Sequence, residues 1–447
     1  MHALLRFPVL TPIVLGSAFT LAAVVVILLI ARRTTRGPAL AAAGVIGGAL
    51  VGVLTLWLVE GVADVFGPAL GWSTRAWVVG CFAALGLAAM NWRRSTLRRK
   101  VGALLGSLVL IATSVLGVNA LYGLNPTVGS LFGVATVDQL ALPAPVASPS
   151  SRVATAATAA TAATAAAPAA PAGLLWQTWT APVGMPSAGT TGIEVIPNTV
   201  SGFTARPAGI YLPPAALTAH PPTLPLVVLL MGQPGNPDPQ YVAAVLDRYA
   251  AAHQGLAPIV VVADQLGDPT KDTLCLDTAQ FGKVESYVTK DVLPWARAHL
   301  NVMTDRAHTT IAGYSHGGQC AISFIAKYPE LWGNVLDISG EEYPGADHSA
   351  GVLADIFKGN QKAYDAQKPT VILAKRPYPD TVGIFTVSTD DPAYKPGAQR
   401  VTAAAKAAGI QATYFEVPNG GHVIGALNGG LEEGFKVLYP RLGLSQQ

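Results

Sequence analysis

The sequence predicts two architectures in one chain: an all-α domain of four transmembrane helices, then a large α/β domain with a mostly parallel sheet covered by helices on both faces. Three observations carry this. Charged residues make up only 12% of the 447 residues and hydrophobic ones 51%, with a mean hydropathy of +0.41, too apolar for a wholly soluble chain. The charge is split: residues 1–135 hold 10 Lys/Arg and 2 Asp/Glu (net +8), whereas residues 136–447 hold 19 and 24 (net −5). The C-terminal part alternates short β-rich runs with helical segments. No Lys/Arg-dense stripe in that part points to a nucleic-acid partner. Three cysteines in the whole chain exclude a disulfide-stapled small fold and a Cys-rich zinc module.

Four apolar runs open the chain, at residues 9–30, 39–59, 76–92 and 101–121. Each approaches the ~20 residues that cross ~30 Å of hydrocarbon at about 1.5 Å per residue. The first is too long for the apolar core of a signal peptide, and its basic cluster follows it rather than preceding it. Arg32, Arg33 and Arg36 occupy the first connection and Arg93, Arg94, Arg98, Arg99 and Lys100 the third, while the second carries Glu60, Asp64 and Arg75. Positive residues stay on the cytoplasmic side, so both chain ends and the α/β domain are expected outside the cell membrane. No charge lies inside the runs, which favours a multi-pass anchor in the bilayer over a transporter. Asn91 and Asn119 sit near run ends. Gly44, Gly48, Gly52, Gly102 and Gly106 suit close helix packing, and Cys81 reads as buried filler.

From Pro143 to Gly173 the chain is nearly all Ala, Thr, Pro and Ser. Interleaved Thr and flanking prolines weaken the helix preference of Ala, so residues 136–175 read as a flexible stalk. The α/β domain fills residues 176–447. Its strands are expected at 226–231, 259–263, 309–312, 335–338, 382–387 and 413–417, and its helices at 240–253, 281–299, 317–327, 397–408 and 431–439. Strands apolar along their length belong to a sheet buried on both faces.

Gly313-Tyr314-Ser315-His316-Gly317 falls between the strand at 309–312 and the helix at 317–327, the context of a nucleophile elbow. The glycines are needed because the serine sits in a strained turn where neighbouring side chains would collide. A serine at its free pKa needs a base, and hydrolases built this way run in the chain order Ser, acid, His. His422 lies in a glycine-loosened loop behind the last strand, whereas His348 lies in a polar stretch that reads as solvated, so His422 is the expected base. The acid is expected after the strand at 382–387, where two carboxylates follow Thr389. Turn spacing selects Asp391, with Asp390 as the alternative. The developing oxyanion needs preorganised N–H donors. One is His316, directly after the nucleophile. The other is Gln233 in Gly232-Gln233-Pro234-Gly235, where Pro234 has no N–H to give. No zinc or calcium motif and no phosphate-binding glycine loop appears, so no metal or cofactor is expected.

With the elbow stretch 313–320 (GYSHGGQC), the stretches 272–277 (DTLCLD), 285–295 (ESYVTKDVLPW), 328–333 (YPELWG) and 337–341 (DISGE) carry a resemblance. Over residues 224–442 the chain resembles the esterase-D-like branch of the α/β-hydrolases, which includes actinobacterial mycolyltransferases and exported esterases. The resemblance implies an α/β-hydrolase fold and a Ser-His-Asp acyl-enzyme mechanism. It also implies a disulfide between Cys275 and Cys320, which an extracytoplasmic compartment permits. The sequence departs from the family at Met231-Gly232, where His-Gly or Asp-Gly is commoner ahead of the oxyanion donor.

The strand ending at Ile338 leads into Ser339-Gly340-Glu341-Glu342, on the side of a parallel sheet where clefts lie. Glu341 and Glu342 read either as partners for a cationic group, such as the α-amino group of an aminoacyl ester, or as a solvated acidic loop. The anchor favours an ester in or near the outer leaflet or cell wall. The expected activity is that of a membrane-anchored serine esterase. An acyltransferase using a sugar or lipid hydroxyl is the first alternative. A non-catalytic scaffold is the second, opposed by the intact Ser-Asp-His order.

Overall fold

The computed structural model describes residues 2–31, 37–62, 70–92, 95–123, 125–132, 138–140 and 174–446. The expected stalk from 141 to 173 lies outside the described residues, as do Arg32, Arg33, Arg36, Asp64, Arg93 and Arg94 of the orientation argument. By contacts the chain divides into two units. The first comprises Met1–Thr136 with the short segments Ala346–Gly351 and Asn419–Ala426, and the second is the remainder.

The first unit holds four helices long and apolar enough to cross a membrane: α1 (Pro12–Ile30), α2 (Gly37–Leu56, continued by a π-helical turn Trp57–Val62), α3 (Trp72–Met90) and α4 (Leu97–Tyr122). Large apolar side chains such as Ile13, Leu28, Ile46, Leu50, Leu105 and Leu108 face outward. That is unfavourable in water and natural in hydrocarbon. Gly44, Gly48 and Gly52 meet α3 backbone to backbone: a Cβ on Gly48 would overlap the carbonyl oxygen of Phe82, and one on Gly86 that of Gly44. Gly106 likewise lies against Val25, but Gly102 faces open space and takes no part in packing.

The helices run further than the apolar runs, so charges expected in connections fall on them. Glu60 in the π turn pairs with Arg75 of α3 at 2.6 Å. Arg99 of α4 donates to Asn91 Oδ1 (2.8 Å), whose amide in turn caps the carbonyls of Leu29 (3.1 Å) and Leu87 (2.9 Å). These groups sit at helix ends, where polar partners offset their desolvation. Cys81 is half-buried rather than buried.

The second unit is built on an eight-stranded sheet: β1 (Thr190–Glu194), β2 (Ala208–Leu212), β3 (Leu226–Leu230), β4 (Ile259–Ala263), β5 (Thr309–Tyr314), β6 (Asn334–Ile338), β7 (Val382–Ser388) and β8 (Gln411–Val417), in the order β1-β2-β4-β3-β5-β6-β7-β8. β1 and β2 run antiparallel at one edge, and every pair from β4 to β8 is parallel. Helices α5 (Gln240–Ala252), α6 (Leu293–His299), α7 (His316–Lys327), α8 (Lys395–Ala407) and α9 (Ile424–Arg441) alternate with the strands, as parallel crossovers require. This is the α/β-hydrolase arrangement. Strands β3 to β7 are buried at every position but Tyr314, which is why they read as continuous apolar runs.

Three local differences from the sequence expectation have physical causes. The edge strands β1 and β2 were not anticipated, because Thr190–Glu194 is short and half exposed and Ala208–Leu212 carries a glycine. The helix expected at 281–299 is broken into Val284–Ser286, a π-helical segment Tyr287–Val292 and α6, because Pro294 supplies no N–H to the α ladder. Within the segment read as stalk, Asp138–Leu140 pairs with Ile193 of β1 (Leu140 N to Ile193 O, 3.1 Å), and Leu175 is buried.

Candidate active site

The turn between β5 and α7 has the geometry that the elbow motif requires. Ser315 sits at φ 55°, ψ −121°, a conformation costly for any residue with a side chain. Three backbone bonds hold it there. Its N–H donates to Ile338 O of β6 (2.8 Å), and its carbonyl accepts from Gly318 N (2.8 Å) and Gln319 N (3.1 Å). The flanking glycines are steric requirements: a Cβ on Gly313 would overlap Gly317 O, and one on Gly317 would overlap Leu230 O of β3.

The loop after β3 lies against the serine, since a Cβ on Gly232 would come 3.2 Å from Ser315 Cβ. Gln233 is half-buried, its peptide to Pro234 is cis, and Pro234 is exposed. Two residues that the sequence reading passed over grip this loop. Arg206 donates to Asn236 Oδ1 and Gly235 O (2.8 Å each) and is itself held by Asp264 at 2.7 Å. Gln265, buried, donates from Nε2 to Met231 O. Asp264-Gln265 follows β4 directly, and the parallel pairing of β3 and β4 brings both strand ends to one edge of the sheet. That topological placement was the available signal.

His316 was expected to contribute only its backbone N–H. Its side chain is also buried: Nε2 lies 3.0 Å from Asp272 Oδ1, and Nδ1 lies 3.3 Å from Gln265 Nε2 and 3.6 Å from Cys320 Sγ. Cys275 and Cys320 form a disulfide with a Cα–Cα distance of 5.4 Å, tying the 272–277 stretch to α7. Of the two carboxylates after β7, Asp391 is buried and Asp390 exposed. Asp391 Oδ1 accepts from Tyr394 N (3.4 Å), and its own N–H donates to Ser388 O (3.2 Å). His422 is half-buried in the turn that follows β8 through Pro418-Asn419-Gly420-Gly421. It falls in the Asn419–Ala426 segment grouped with the first unit, whereas Ser315 and Asp391 belong to the second.

The acidic pair after β6 divides. Glu342 is held by a two-pronged bond from Arg400 (2.5 and 2.9 Å) and is therefore committed to a structural partner, not to a cationic ligand. Glu341 is buried, which removes the solvated-loop reading for that residue. A further buried acid lies beneath the elbow. Asp337 of β6 accepts from Gly340 N (3.0 Å), a Cβ on Gly318 would come 2.5 Å from its Oδ1, and burial pushes its pKa up to about 7.

Residues 204–422 match the family model described as putative esterase. An uncharacterized protein of Corynebacterium glutamicum is 31% identical over 253 residues, 54% of this chain, and the alignment spans 58% of that protein's length. Similar solved structures include a ferulic acid esterase (17% identity, 57% of this chain and 98% of that one, TM-score 0.44). The S-formylglutathione hydrolase of Agrobacterium tumefaciens gives 17% identity over 57% and 97%, with a TM-score of 0.47. The fluorophosphonate-binding serine hydrolase F of Staphylococcus aureus gives 14% over 58% and 100%, with a TM-score of 0.44. The match to the esterase model covers just under half of this chain and includes the elbow, and the chain spans less than two thirds of the length of the Corynebacterium relative.

Proposed function

We propose that this chain is a membrane-anchored serine hydrolase that cleaves a carboxylic ester through an acyl-enzyme. The observation that carries the reading is the backbone of Ser315, held in a strained conformation by three hydrogen bonds and two obligatory glycines. Such strain persists where a function uses it. Ser315 Oγ attacks the ester carbonyl carbon as His422 takes the hydroxyl proton. Backbone N–H groups of Gln233 and His316 receive the negative charge on the carbonyl oxygen. The C–O bond to the alcohol then breaks, and His422 returns the proton to the departing alkoxide. Water attacks the acyl-enzyme by the same route, regenerating Ser315 and releasing the acid. Asp391 orients the imidazole, a role favoured over Asp390 by its burial. The four apolar helices support a substrate in or near a lipid leaflet or envelope layer, presented to an extracytoplasmic domain. The pairing of Glu342 with Arg400 leaves Glu341 as the acidic candidate for a cationic substrate group.

The test uses the full chain in detergent micelles, wild type beside Ser315→Ala, with a fluorophosphonate probe and p-nitrophenyl esters. Labelling and turnover lost in the variant are expected. A folded wild type that neither labels nor turns over, or a variant that does both, refutes the reading. Added alcohol acceptors report transfer against hydrolysis.

A further inference from the structure

The dipeptide Asp264-Gln265 does no chemistry in the mechanism above, yet both side chains are almost fully buried; Gln265 bonds directly to the start of the loop that carries the Gln233 donor, and Asp264 reaches that loop through Arg206. We propose that Gln265, with Asp264 acting through Arg206, is a positioning device that sets the direction of the oxyanion donors. The inference rests on the serine-hydrolase reading of Ser315.

The argument starts from the peptide plane. Met231 C=O and Gly232 N–H belong to one rigid trans unit and point in opposite directions. The atom of Gln265 facing Met231 O must be its amide nitrogen, because a carbonyl oxygen only accepts. That bond fixes the rotation of the plane at the point where the chain leaves β3. The second hydrogen of the same amide faces His316 Nδ1 at 3.3 Å. On the other side of the ring, Asp272 Oδ1 lies 3.0 Å from Nε2, so the imidazole is packed between the Gln265 amide and a carboxylate. One amide group therefore touches both segments that carry the oxyanion donors: Met231, two residues before Gln233, and the side chain of His316, the first residue of α7. At the far side of the loop, the planar fork of Arg206 bridges Asn236 Oδ1 and Gly235 O while anchored on Asp264. The loop is thus fixed on both sides of Gln233 by two consecutive residues of one strand end. The sequence Met231-Gly232 itself offers no polar side chain at this point for the task.

The experiment compares full-length wild type, Gln265→Glu and Gln265→Met in detergent micelles, measuring kcat and KM for p-nitrophenyl butyrate from pH 5 to 8. Outright loss of an oxyanion donor costs about 10²–10³ in kcat, so misaiming one is expected to cost about tenfold, with KM little changed. In Gln265→Glu the introduced group is isosteric but, when ionised, only accepts. Its deficit relative to wild type is therefore greatest at pH 8 and shrinks at low pH, where the protonated carboxyl again donates to Met231 O. The charged and titratable groups facing it are His316, Asp272 and the Asp264–Arg206 pair. Gln265→Met shows the loss without recovery. Should Gln265→Glu fail to fold, Arg206→Lys, which keeps the charge and loses the fork, reads the same fall in kcat at constant KM. Wild-type kcat in these variants, or a Gln265→Glu deficit flat across pH, overturns the proposal. A wild type unlabelled by fluorophosphonate overturns the serine-hydrolase reading itself, and this inference falls with it.

Discussion

Asp337 gives the sharpest link between the elbow and a measurable quantity. Its carboxyl is fully enclosed between the first turn of α7 and the loop after β6, where Gly318 and Gly340 leave only enough room for it. Desolvation raises its pKa from 3.8 to about 7, and the single bond from Gly340 N opposes that rise without cancelling it. The folded state therefore binds the proton more tightly than the unfolded chain does. Stability is fully present below pH 4 and is lost as pH rises through 7. At about 1.4 kcal/mol per pKa unit, the whole swing is about 4 kcal/mol. Asp337→Asn keeps the acceptor for Gly340 and removes the ionisation. Its stability relative to wild type is expected to climb by about 4 kcal/mol from pH 4 to pH 8, read from denaturant midpoints followed by tryptophan fluorescence. Parallel profiles for the two proteins would refute the reasoning, because they would mean that the group ionises at its ordinary pKa despite its burial.

Three further outcomes follow from named contacts. Replacing Cys275 and Cys320 by Ala opens a loop with a sequence separation of 45; chain-entropy arithmetic for a loop of that size gives a loss of about 4 kcal/mol, measured by denaturation with and without reductant. Gly317→Ala drives a methyl into Leu230 O, with an expected cost of about 3 kcal/mol and loss of fluorophosphonate labelling even where the fold survives. Gly48→Leu forces α2 from α3 at the Phe82 carbonyl and is expected to lower the melting temperature of the full chain in detergent, whereas Gly102→Leu, facing open space, leaves it unchanged.

The parts legible in the sequence were those written in local pattern. Strands buried on both faces announce themselves as apolar runs, and the elbow announces itself because its glycines are adjacent to the residue they serve. What escaped was written in contacts between distant segments. The helix expected at 431–439 begins at Ile424 because Gly429, Gly430 and Gly434 pack α9 against Val417, Ile338 and Leu336. Helix propensity counts those glycines as penalties, while tertiary packing requires them. Glu342 read as a free carboxylate because Arg400 lies 58 positions away in sequence. Asp264 and Gln265 went unnoticed just past the strand at 259–263, since nothing local tells that β3 is the neighbour of β4.

The glycines of this chain also show why one residue type carries opposite meanings in its two units. The helices of the first unit are long and apolar enough to cross a membrane, and in a bilayer lipid and leucine are equally apolar, so burial alone gives such helices little reason to associate. Close approach through Gly44, Gly48 and Gly86 brings backbone atoms into van der Waals contact, and packing itself becomes the source of stability. In the second unit the sheet is already stabilised by burial on both faces, and the elbow glycines add no stability. They permit a strained serine that the surrounding hydrogen bonds must hold in place. A substitution at Gly48 therefore acts on association of the helices and leaves ester chemistry alone, whereas one at Gly313 or Gly317 acts first on the geometry of Ser315. Thermal stability measured alongside fluorophosphonate labelling separates the two. The reasoning fails if elbow variants keep full labelling while losing stability, because the glycines would then serve packing alone.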